Sequence, residues 1–113
     1  MDLYGGMMRR RSTLTEDFFA VKVHSLRAPG NDPIVLDTQP VAIAVIPTTQ
    51  ARPDPIDLVE AEWVGDAGTT RVMRAMFGPG TGHTLTAGTY KVWAKVDGGT
   101  WVIVEPAYQV DVI

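Results

Sequence analysis

The chain has 113 residues, 45% of them hydrophobic and 20% charged, with a net charge of −3; that length suits one domain at about 100–200 residues each. Such a composition excludes disorder of the whole chain, and the lack of cysteine excludes disulfides, thiolate zinc sites and cysteine nucleophiles. Glycine and proline together make 19 of the 113 residues, against about 12% in an average protein, so many turns and short strands are expected.

The charge is unevenly spread. Residues 1–27 carry five basic side chains against three acidic ones, whereas residues 28–113 carry five against ten. An acidic body does not suit a nucleic-acid reader, whose affinity comes mainly from Lys and Arg on phosphates. No run approaches the roughly 20 apolar residues that a membrane helix needs. The opening residues have no apolar segment behind their charges, so a secretory signal is not expected. Synthesis and maturation in a cytosol are expected instead.

Residues 1–17 read as an N-terminal arm and residues 18–113 as one β-sandwich domain. Gly5-Gly6 interrupts regular structure, and Arg9, Arg10 and Arg11 form a like-charge run. Leu3, Tyr4, Met7 and Met8 are apolar for a solvating tail, which suits an arm that orders on a partner. A short helix is expected around residues 7–13.

Strand patterns follow from Phe18 onward. In residues 18–23, Phe19, Val21 and Val23 share a face opposite Lys22. A turn cluster at residues 28–33 leads to a short strand expected at residues 34–36. Residues 41–46 are apolar throughout between Pro40 and Pro47, the pattern of a strand covered on both faces. After a polar loop, Val59, Ala61 and Trp63 alternate with Glu60 and Glu62. A Gly65-Asp66-Ala67-Gly68 connection leads to a strand at residues 70–77 whose alternation is imperfect. Tyr90, Val92, Ala94 and Val96 then share a face opposite Lys91, Trp93 and Lys95. Asp97-Gly98-Gly99 is a hairpin turn, and residues 101–104 pair back until Glu105-Pro106 interrupts them. Tyr108, Val110 and Val112 alternate in the last segment. About seven or eight antiparallel strands with no helical period are the pattern of an all-β sandwich.

Two features carry a resemblance. Leu85-Thr86-Ala87-Gly88-Thr89-Tyr90 resembles the tyrosine corner of immunoglobulin-like and fibronectin-type sandwiches, and Trp63 could be the core tryptophan of a mid-domain strand. Over residues 40–113, the apolar strand, Ala61-Glu62-Trp63, the strand ending in Gly78-Pro79-Gly80, the Gly88-Thr89-Tyr90-Lys91-Val92-Trp93 segment and Glu105-Pro106 look like the small β-sandwich virion proteins of tailed actinobacterial bacteriophages. The Asp97-Gly98-Gly99-Thr100-Trp101 hairpin departs from that pattern, which leaves capsid decoration and a tail role both open. The resemblance implies a non-enzymatic virion protein without cofactor, docked on the major capsid protein or another virion protein. It also implies a homo-oligomeric arrangement on the particle.

The candidate docking residues are Tyr4, Arg9, Arg10 and Arg11 on the arm, and Trp93 and Trp101 flanking the last hairpin. If the two tryptophans are exposed, they could instead form a stacking platform for a carbohydrate or receptor. Other chemistry is poorly supported. His24 and His83 lie far apart with no third ligand beside them. Ser25 follows His24 and would point to the opposite face of a strand. Gly78-Pro79-Gly80-Thr81-Gly82 lacks the Gly-Lys-Ser/Thr of a phosphate loop. The aspartates of the loops match no calcium-loop spacing.

Overall fold

The computed structural model describes residues 2–5, 10–12, 17–24, 27 and 30–113. The protein is all-β. Its strands are β1 (Asp2–Gly5), β2 (Arg10–Arg11), β3 (Asp17–His24), β4 (Val41–Pro47), β5 (Val59–Val64), β6 (Thr70–Phe77), β7 (Gly88–Asp97) and β8 (Val102–Val112). One 3-10 turn, Pro55–Asp57, is the sole helical element among the described residues.

All eight strands join in one sheet, ordered β1-β3-β6-β5-β4-β7-β8-β2. The six longer strands pair antiparallel throughout, and the sheet curls until it is nearly closed. β5 makes the curl. Its residues 59–61 pair with β4 at residues 41–43, and its residues 62–64 pair with β6 at residues 72–74. One strand thus changes neighbours halfway along its length.

The alternation read from the sequence places the core. Phe19, Val21 and Val23 of β3, Met73, Ala75 and Phe77 of β6, and Tyr90, Val92, Ala94 and Val96 of β7 point inward and are buried. Phe19 and Phe77 meet edge to face at 5.3 Å, the arrangement that aromatic quadrupoles favour. Arg71 shares the inward face of β6, which is why the alternation of that strand looks imperfect in sequence. As its unbroken apolar run predicts, β4 is covered on both faces. Val41, Ile43 and Val45 join the main core, while Ala44 and Ile46 join Trp93 in a second cluster outside the sheet, packed by Leu58 and Val104.

Three local expectations are corrected. Residues 10 and 11 are strand, paired parallel to Asp111 and Val112, in place of the helix expected there; residues 7–9 and 13 lie outside the described residues. Residues 34–36 form no strand; the segment makes only single bridges, Arg27 to Pro33 and Leu36 to Gly68, although Ile34 and Leu36 are buried in the core. Pro106 does not end the last strand either. β8 runs through it as an edge strand, where a missing donor is tolerated, and a register shift opposite Val92 and Trp93 absorbs the irregularity.

Candidate docking surfaces

The N-terminal residues predicted to dock are part of the sheet wherever they are described. β1 pairs antiparallel with β3, bringing Tyr4 opposite Lys22. β2 pairs with the last residues of β8, Arg10 opposite Asp111 and Arg11 opposite Val112. Arg9 lies outside the described residues. The chain therefore places its first strand on one rim of the sheet and its second on the other. Among the described residues, no strand pairs with the outer side of β8 over residues 102–107, which leaves that part of the rim as a strand edge.

The two tryptophans are not a common platform. Trp93 lies on the outer face of β7, as its parity predicts, but it is only 9% exposed. Its indole packs with Ala44 and Ile46, and with Leu58 of the loop that follows β4. The condition for a stacking platform, an exposed Trp93, is not met, because Leu58 and Val104 cover this face. That loop is tightly organised: Asp57 Oδ2 accepts hydrogen bonds from the Asp54 N–H and from Gln50 Nε2, and the 3-10 turn leaves Ile56 almost fully exposed at its apex. The clue was present in the sequence. Trp93 is the direct neighbour of Ala44 on β4, and a strand apolar at every position needs cover on both sides. Trp101 is half-buried against the main core and lies over the backbone of Gly98.

Tryptophan also organises the segment that leads into β4, at a site that sequence reasoning missed. Trp63 points inward from β5, and its Nε1 donates to the carbonyl of Gln39 at 2.9 Å. It packs against the core from its periphery and is not the buried centre of a strand. Arg71 lies over the Trp63 ring, and its guanidinium donates to the carbonyls of Asp37 and Gly65. These bonds hold the long segment between β3 and β4 against the connection between β5 and β6. Beside them, residues 37–40 and the β7–β8 turn enclose an open concavity of about 540 Å³, bordered by Asp37, Gln39, Asp97 and Gly98.

Tyr90 closes the corner that the sequence predicts. Its hydroxyl donates to the Thr86 carbonyl at 2.8 Å and lies 3.2 Å from the Thr86 hydroxyl. Among the described residues, no three His, Asp or Glu side chains converge as metal ligands. No helix among them is long and apolar enough to cross a membrane. No protein-family model, curated protein or solved structure matches the chain.

Proposed function

We propose that the protein is a non-enzymatic structural protein of a tailed-bacteriophage virion, an immunoglobulin-like sandwich that docks on the capsid through its N-terminal segment and a sheet edge. The observation that carries the docking mode is the rim of β8. Among the described residues, no strand pairs with the outer side of β8 over residues 102–107, and the basic Arg10 and Arg11 pair at the end of that same rim. An unpaired strand edge beside positive charge is suited to an extended, acidic partner segment.

Two further features support the immunoglobulin-like reading. The first strand is divided between the two rims, β1 on β3 and β2 on β8, and a tyrosine at the start of a late strand bonds back to the backbone four residues upstream. The sequence resemblance over residues 40–113 supplies the virion context. Expected partners are the major capsid protein or another virion protein, with further copies of this chain on the same particle.

Purified phage particles probed with an antibody against this protein test the reading. The expected result is co-sedimentation with intact particles at a fixed number of copies, with label on the head. Label confined to the tail would move the role to a tail-associated protein, and absence from particles would overturn the proposal.

A further inference from the structure

The outer face of the sheet carries a row of side chains that is complementary to itself. Ala42 of β4 stands directly opposite Glu60 of β5 on one side and Lys95 of β7 on the other. Residues directly opposite one another in a sheet project from the same face. Here that face is the outer one, since Val41 and Ile43 belong to the main core while Ala44 and Trp93 belong to the outer cluster. Lys95 and Glu60 therefore flank Ala42 at one strand spacing each, about 4.8 Å.

Neither charge is neutralised within the chain. Glu60 is exposed and Lys95 half-buried, and neither has a salt-bridge partner among the described residues. Ala42 between them is short, and a shallow hollow of about 80 Å³ lies beside it, bordered by Pro40, Lys95 and Asp97. The row thus reads positive, small and apolar, negative.

We propose that this face is a contact between two copies of the chain, related by a two-fold axis that runs along β4. The rotation lays Ala42 over Ala42 and exchanges the flanks, so Lys95 of each copy meets Glu60 of the other. One row supplies two ion pairs around an apolar centre, the self-complementarity that an isologous interface requires. An axis across the strands would instead set Lys95 against Lys95 and Glu60 against Glu60. In the row on one side, Trp93 meets Leu58, both members of the outer apolar cluster. In the row on the other side, Asp97 escapes Glu62 of the second copy, because β5 leaves β4 after Ala61 and Glu62 accepts from Arg74 at 2.7 Å. Two convex faces touch only along β4 and its neighbours, so the contact is small beside the roughly 1,200–2,000 Å² of a stable interface. The dimer is weak and suits a chain held at high local concentration. This contact is a property of the isolated chain, does not rest on the virion reading and leaves the β8 edge unused.

Sedimentation velocity of the intact protein at concentrations up to about 1 mM tests the proposal. The expected outcome is a monomer–dimer equilibrium that weakens with added salt, as exposed charge contacts do. Lys95→Glu and Glu60→Lys should each weaken dimerisation about tenfold or more, since like charges across an interface are strongly disfavoured. An equimolar mixture of the two variants should dimerise again, because the two-fold brings opposite charges together at both contacts of the mixed pair. The double variant Lys95→Glu/Glu60→Lys should recover for the same reason. Circular dichroism and urea melts check that each variant keeps the parent fold. A protein that stays monomeric throughout, a dimer indifferent to both reversals, or folded variants that do not recover on mixing would each overturn it.

Discussion

The guanidinium of Arg71 lies 5.4 Å from the centre of the Trp63 ring, and the two side chains fasten the same loop from different strands. Trp63 on β5 donates to the carbonyl of Gln39, and Arg71 on β6 donates to that of Asp37. Among the described residues, the long segment between β3 and β4 makes only isolated bridges, yet it contributes the buried Ile34 and Leu36 to the core. These two side chains replace the missing strand pairing.

Arg71→Ala is therefore expected to lose roughly 1.5–3 kcal/mol, the net value of hydrogen bonds from a charged group. Arg71→Lys should recover little of it, because an ammonium cannot reach both the Asp37 and Gly65 carbonyls as a planar fork does. Urea melts followed by tryptophan fluorescence measure both. Equal stability of the Lys variant and the parent would show that charge alone holds the loop.

Tyr90→Phe should cost about 0.5–1.5 kcal/mol, one net hydrogen bond, because only the bond to Thr86 is removed. Tyr90→Ala should cost roughly 3–5 kcal/mol, as a truncated aromatic in a core. The same melts decide this, and a neutral Tyr90→Phe would mean that the corner contributes nothing to stability.

Much of this fold is written in local pattern. The inward faces of β3, β5 and β7 follow from period-two alternation at Phe19, Ala61 and Val92. The double cover of β4 follows from its unbroken apolar run. What the pattern omits is long-range. Alternation gives Trp93 a face but cannot say that a proline-containing loop returns to cover it. Residues 34–36 look like a strand because they are apolar, but their burial comes from the loop's position under Arg71 and Trp63. The changeover in β5 was illegible for the same reason. Val59, Ala61 and Trp63 alternate without a break, and nothing in that sequence marks where the strand changes neighbours.

At the β7–β8 turn, Gly98 donates its N–H to the Trp101 carbonyl, and Gly99 takes the positive φ of +87°. A Cβ at position 98 would overlap the Trp101 indole. Gly98→Ala should lose about 1–3 kcal/mol, the usual cost of overpacking. Combining it with Trp101→Ala should remove that penalty, so the double variant should lose less than the sum of the two single losses. Additive losses would show that the ring is free to move aside.

Trp93 carries a buried indole N–H with no hydrogen-bond partner among the described residues. Trp93→Ala should cost roughly 3–5 kcal/mol by opening the outer cluster. Trp93→Phe should be far milder, since removal of an unsatisfied donor, worth about 1–3 kcal/mol, offsets the lost ring volume. If Phe is as damaging as Ala, the indole N–H has a partner in solution, and thermal melts in parallel would reveal it.

Deletion of residues 1–11 removes both rim strands. Because β1 pairs over four positions and β2 over two, the truncated chain should lose at least about 1 kcal/mol, the net of one hydrogen bond. Backbone amides of residues 21–24 should also exchange faster with solvent. A truncated chain of unchanged stability would mean that these strands add nothing to the isolated fold.

The divided pairing of β5 also bears on which length changes the chain can accept. Its two halves answer to different neighbours, but Val59, Ala61 and Trp63 belong to one uninterrupted inward row. Adding or deleting a single residue at the changeover would keep one half in register and turn the other inside out, exposing either Val59 and Ala61 or Trp63. Adding two residues would restore the parity and lengthen only the stretch between the two ladders. Related chains are therefore expected to vary in the loops on either side of β5 while keeping the spacing from residue 59 to residue 63 unchanged or altered by an even number.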